Sequence, residues 1–126
     1  MYTDFLIKIK NAQAVKKESI KVPFSKMTGA IAEILLRKNL LESVEKKGRA
    51  PKKILEIKLK YKDGVGAISG LKFVSKPSRK IYAGYEDLKP VRHNFGFSVI
   101  STPKGILSGA EARKEKVGGE LLFEIW

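Results

Sequence analysis

The run Ile54-Leu55-Glu56-Ile57-Lys58-Leu59-Lys60-Tyr61-Lys62 alternates apolar and charged side chains almost without a break. Successive residues of a strand point to opposite faces, so Leu55, Ile57, Leu59 and Tyr61 share one side while Glu56, Lys58 and Lys60 share the other. A strand written this way belongs to a sheet buried on one face only. Leu41 to Lys46 reads as its hairpin partner across Lys47-Gly48-Arg49-Ala50-Pro51-Lys52. Upstream, residues 1 to 14 set Phe5, Leu6, Ile9 and Ala12 at helical spacing behind a capping Thr3, with Lys8 and Asn11 on another face. Ile20 and Val22 alternate as a short strand that Pro23 ends. From Ser25, residues Met27, Ile31, Ile34, Leu35 and Lys38 keep a 3.6 period up to Asn39.

These periods predict an N-terminal α/β module, helix-strand-helix-strand-strand, over residues 1–66. Asp63-Gly64-Val65-Gly66 interrupts the pattern, and the remainder is strand-like apart from one helix. Leu71, Phe73 and Val74 lead into the turn Ser75-Lys76-Pro77-Ser78-Arg79, and Lys80-Ile81-Tyr82 reads as a short strand. Phe97 to Ile100 form a strand that feeds the turn Ser101-Thr102-Pro103-Lys104-Gly105, with a helix start following it. Ser108 and Glu111 have capping-box spacing. Gly118-Gly119 serves either to turn the chain into a last strand or to allow close backbone approach to a ligand. The expected fold class is α+β, with a mainly β C-terminal module over residues 67–126 that carries one short helix.

Composition narrows the partners. Lys and Arg number 26 against 13 acidic residues, a formal charge of +13 and a pI near 10.0, which directs attention to polyanions. A membrane surface would call for a basic amphipathic helix or a lipidation signal. Here the cations are spread over helices, strands and turns, so nucleic acid is the expected partner and no membrane is. The absence of cysteine excludes disulfides, thiolate metal sites and thiol nucleophiles. No stretch has the apolar length of a span, and no signal-peptide core is present, so a cytoplasmic location is expected.

An enzyme needs a nucleophile and base, or a metal set. The chain has one histidine, His93, beside Asn94, with no second partner identifiable. Glu42, Glu45 and Glu86-Asp87 fall in turn or solvent-facing patterns. Gly64-x-Gly66 lacks a dinucleotide fingerprint, and no phosphate-binding G-x-x-x-x-G-K-[ST] occurs. No catalysis, cofactor or metal is expected. The turn 101–105, by contrast, combines two hydroxyls, a flexible cation and a close-approach glycine, which suits holding a nucleic acid backbone and reading a base. Arg79 and Tyr82 offer a planar cation and an aromatic face able to clamp unstacked bases or a ribose, the alternative being that Tyr82 packs inward. Lys46, Lys47, Lys52 and Lys53 flank the hairpin as a charge run able to touch phosphate without sequence preference.

Several stretches together resemble bacterial small-subunit ribosomal protein eight over nearly the whole chain. They are Phe5-Leu6-Ile7-Lys8-Ile9-Lys10-Asn11-Ala12, Ser75-Lys76-Pro77-Ser78-Arg79-Lys80-Ile81-Tyr82, the turn Ser101 to Gly105 with the Glu111-Ala112-Arg113 helix, and Gly118-Gly119-Glu120 before the last strand. The resemblance implies a non-enzymatic constituent of the small ribosomal subunit. Such a protein binds the central domain of 16S-type rRNA, supports subunit assembly beside neighbouring small-subunit proteins and, in some bacteria, binds its own mRNA. Carried over by position, it implies RNA contacts at Ser101, Thr102, Lys104, Gly105 and Glu120, with Arg79 and Tyr82 beside them, and at Lys8, Asn11 and Lys26 in the N-terminal module. Three departures stand out: a start only a few residues before the first helix, Lys8 and Lys10 where arginines are usual, and Pro103 in place of a serine. From the residues alone the alternatives are a general double-stranded RNA or DNA binder acting off the ribosome, and a structural scaffold.

Overall fold

The computed structural model describes residues 2–49, 53–76, 78–88 and 96–126. Ala50, Pro51, Lys52, Pro77, His93 and Asn94 lie outside the described residues. The fold is α+β, and the chain divides into two compact units, Met1–Ile68 and Ser69–Trp126.

In the first unit, helix α1 (Tyr2–Ala14) is followed by strand β1 (Ser19–Pro23), helix α2 (Lys26–Arg37) and the hairpin strands β2 (Leu41–Lys47) and β3 (Ile54–Leu59). The strands form an antiparallel sheet in the order β1-β3-β2, with Ile20 opposite Ile57 and Ile57 opposite Val44. Leu55, Ile57 and Leu59 are buried, as are Ile20 and Val22 of β1. Phe5, Leu6 and Ile9 of α1 and Ile31, Ile34 and Leu35 of α2 complete this core.

Two local expectations need adjusting. Thr3 lies inside α1, which already begins at Tyr2. The alternating run does not continue as one strand to Lys62: it ends at Leu59, and Tyr61–Lys62 (β4) pairs instead with Val65–Gly66 (β5). The tight turn between them is Asp63-Gly64, both at positive φ, the backbone that Asp-Gly hairpins favour. The end of α2 is as the spacing implied, with Asn39 at φ 62 just past the cap and the Ser25–Thr28 capping box at its start.

The outward face of this sheet is charged but self-compensating. Lys47 Nζ lies 2.8 Å from Glu56 and 3.6 Å from Glu45, and Lys58 Nζ lies 3.8 Å from Glu18. The hydrogen bond and charge of Lys47 hold the Glu56 carboxyl below its usual range, and Glu56 in turn raises Lys47. Because the folded carboxyl titrates below its unfolded counterpart, the pair's contribution is present above the unfolded pKa and is lost as pH falls through the folded one.

The second unit is built on β10 (Gly119–Ile125). One edge pairs with β8 (Phe97–Thr102), which continues into β9 (Gly105–Ser108). The other edge is shared: β6 (Leu71–Phe73) takes the far half, Phe123 to Ile125, and β7 (Tyr82–Ala83) takes the near half, Gly119 and Glu120. The expected strand 80–82 is therefore shifted to Tyr82–Ala83. Helix α3 (Gly109–Glu115) starts at Ser108, whose side chain and that of Glu111 form the capping box. Ile106 and Leu107 are strand residues, so a strand and not a helix follows the turn. Ile100 and Ala112 pack with Leu88, and Leu107 and Leu121 join them.

Gly118-Gly119 does not make the reversal after α3, since Lys116 takes the left-handed φ of 56 that ends the helix. The glycines admit the chain itself. A Cβ on Gly119 would collide with the Ser101 carbonyl oxygen, and one on Gly118 would come within 2.5 Å of Ala83 O. Both obstacles are backbone, which cannot swing away. Gly119→Ala should accordingly destabilise the protein by about 1–3 kcal/mol, as overpacking does, measured by urea unfolding. An unchanged midpoint would mean that the Ser101 carbonyl does not crowd Gly119.

Candidate nucleic-acid interface

The shared edge of β10 brings sequence-distant residues into one row. Glu120 stands opposite Tyr82 on one side and Ser101 on the other, and Ser101 stands opposite Ile106. Directly opposed residues of antiparallel strands project from the same face, so Tyr82, Glu120 and Ser101 are immediate neighbours. They lie on the side away from Ile100, Leu107 and Leu121, whose alternate positions face the core. Tyr82 is 69% exposed, an unusual position for a large ring, while Glu120 and Ser101 are half-buried.

Two loops flank this row. The first carries Lys76, Ser78, Arg79 and Lys80, all exposed. Lys76 and Arg79 close it by a reciprocal pair of backbone hydrogen bonds of 2.9 Å each. Ser75, 1% exposed, fastens its base: its hydroxyl donates to Leu121 O at 2.6 Å and accepts from the Ile81 N–H at 2.9 Å. Ser75 holds the place where β6 and β7 exchange along β10, and so sets where Arg79 and Tyr82 emerge. Sequence reasoning did not assign it this role; its position between an apolar strand and a turn was the available signal.

The second loop is the β8–β9 turn. Ser101 and Thr102 are strand residues, Pro103 and Lys104 form the tip, and Gly105 resumes the ladder at φ 109, a conformation that favours glycine. The two hydroxyls have different duties. Thr102 Oγ1 donates to Gly105 O at 2.8 Å and accepts from the Lys104 N–H at 3.1 Å, so its one proton is used in closing the turn. Ser101 has no side-chain hydrogen bond among the described residues and is the hydroxyl free to meet a ligand. Lys104 Nζ is paired with Glu115 Oε2 at 3.2 Å.

In the first unit, Lys8, Asn11 and Lys26 are exposed. Lys8 Nζ donates to Lys21 O at 3.1 Å, which draws it against β1, and Asn11 follows one turn later on α1. Lys8 and Asn11 line a cleft of about 460 Å³ with Asp4, Ile7, Val15 and Ile20. Lys26 opens α2 from another element and is not part of that cleft. Of the hairpin lysines, Lys46 lies 4.1 Å from the centre of the Phe24 ring and Lys47 is held by Glu56, so both serve the protein's own packing. Lys53 is exposed. Among the described residues no group of three or more His, Cys, Asp or Glu could hold a metal ion, and no helix is long and apolar enough to cross a membrane.

The family model described as Ribosomal protein S8 matches residues 1–126. The small ribosomal subunit protein uS8 of Persephonella marina is 44% identical, over 98% of this chain and 95% of the relative. That of Mycoplasma mobile is 42% identical over 98% and 92%, and that of Rhizorhabdus wittichii 40% over 98% and 94%. The chain belongs to the ribosomal protein S8 family, whose members are structural proteins and not enzymes.

The division of the hydroxyls has a measurable consequence. Thr102→Val should lower stability by about 0.5–1.5 kcal/mol for each turn hydrogen bond it removes, whereas Ser101→Ala should melt like the parent. Equal melts for both variants, compared by thermal unfolding, would show that Thr102 does not hold the turn.

Proposed function

We propose that the protein is a constituent of the small ribosomal subunit that binds the central domain of 16S-type rRNA directly and supports subunit assembly, alongside neighbouring small-subunit proteins. The observation that carries this reading is the row Tyr82–Glu120–Ser101, bordered by a cation-bearing loop and a hydroxyl-bearing turn, in a chain of formal charge +13. An exposed aromatic face suits stacking on an unpaired base, and an ionised carboxylate accepts only from donors, such as base amino groups, while repelling phosphate. Ser101 can donate to or accept from a base or ribose. Arg79, Lys80 and Lys104 supply phosphate attraction around these readers, and Lys8, Asn11 and Lys26 offer a further set in the first unit. Binding to its own mRNA would use the same surface if that message presents a similar irregular helix. Assembly into ribosomes places the protein in the cytoplasm.

A titration against a central-domain rRNA fragment and an unrelated RNA duplex tests the reading. Six to ten phosphate contacts would reduce affinity by roughly a thousandfold or more between 50 and 200 mM salt, and the fragment should remain preferred throughout. Ser101→Ala should weaken the fragment selectively, by about two- to tenfold, and leave the salt slope unchanged. If both RNAs bind equally at every salt concentration, the protein is a general duplex binder acting off the ribosome.

A further inference from the structure

Glu115 is the last residue of α3, where the exposed carbonyl end of a helix disfavours a carboxylate. Its neighbours Arg113, Lys114 and Lys116 are the residues a helix C-terminus favours. The other acid of α3, Glu111, is used by the capping box, so its presence follows from the helix. Glu115 has no such role within α3. Its partner is Lys104, at the tip of the β8–β9 turn, and both side chains are about half exposed, at 51% and 55%. They line a shallow depression of about 390 Å³ with Leu107, Glu111 and Lys114.

We propose that Glu115 is a positioning residue that competes with RNA phosphate for Lys104. The proposal rests on the reading of this turn as an RNA surface. In the free protein the carboxylate holds the ammonium against α3. When a phosphate approaches, Lys104 exchanges one anion for another, and the released carboxylate takes up a cation. The counterions that phosphate neutralisation would otherwise set free are thus partly recaptured, and the contact becomes weaker and less dependent on salt. Phosphate attraction carries no sequence information, so the competition weakens every RNA by a similar factor. A complex held also by base contacts outlasts that penalty more readily than one held by phosphates alone.

The test is a set of titrations of the full chain and its Glu115→Gln, Glu42→Gln, Lys104→Gln and Lys104→Gln/Glu115→Gln variants. Each is measured against the central-domain fragment and the unrelated duplex at 50 and 200 mM salt. Glu42→Gln makes the same change in net charge at an exposed strand position in the first unit. Glu115→Gln should tighten both RNAs about two- to fivefold beyond Glu42→Gln, the scale of an exposed ion pair, and should steepen the salt slope by up to about 0.9. The gain should vanish in the Lys104→Gln background. Thermal melts should show no loss of stability in Glu115→Gln, since a carboxylate is removed from a helix C-terminus. A gain no larger than that of Glu42→Gln, or one that persists without Lys104, overturns the proposal. Should Lys104→Gln bind both RNAs like the parent, the turn is not an RNA surface and the underlying reading fails with it. A weakened Lys104→Gln beside a silent Glu115→Gln removes only the competition.

Discussion

The backbone ladder along the two edges of β10 is the constraint on which the second unit depends. A single seven-residue strand is hydrogen-bonded to β8 on one side and to two short strands in succession on the other. Neither β6 nor β7, at three and two residues, would persist alone. Both are held because β10 supplies a complete partner edge, with the Ser75 hydroxyl satisfying backbone groups where one strand gives way to the next. The row Tyr82–Glu120–Ser101 is a product of that register. A slip of one residue would turn Glu120 toward the apolar side and Leu121 toward solvent.

Close backbone contact maintains the register. Gly119 touches the Ser101 carbonyl and Gly118 the Ala83 carbonyl, so the glycine pair admits both flanking strands at the level of the row. The left-handed Lys116 and the Ser108–Glu111 capping box then determine where α3 begins and ends, and hence where Glu115 meets Lys104. Thr102 is tied to the turn by two hydrogen bonds, and Lys104 is tied to α3 by its ion pair with Glu115. The Ser101 hydroxyl is the one that the turn's own hydrogen bonds leave over.

Much of this was readable from residue periodicity. The alternation of Leu55, Ile57 and Leu59 and the 3.6 spacing of Ile31, Ile34 and Leu35 each report burial on one face, and the structure buries those residues. Local capping chemistry was equally readable at Ser25, Asn39 and Ser108, because it involves side chains three or four positions apart. Pairing across distance was not. Nothing in the order of residues says that Tyr82 and Ser101 flank Glu120, or that Lys60 separates two hairpins. Serine and threonine also carry the same hydroxyl, so the sequence could not distinguish Thr102, which spends its proton on Gly105, from Ser101, which does not. The hairpin lysines show the reverse limit: a charge run in one dimension becomes a cation over a ring at Lys46 and an ion pair at Lys47 once strands are placed side by side.

The outward face of the three-stranded sheet gives the first unit a polarity of its own. Lys21, Lys47 and Lys58 are matched there by Glu18, Glu45 and Glu56, so the face is locally neutral although residues 1–68 carry 16 basic and 7 acidic side chains. The remaining cations of that unit include Lys8, Lys10, Lys26 and Arg37 on the helices, Lys16 and Lys17 in the turn after α1, and Lys62 in β4. Ion pairing leaves the sheet face with less net positive charge than the cation-bearing helices, so a polyanion approaching the unit would be drawn more weakly to the sheet than to the helices.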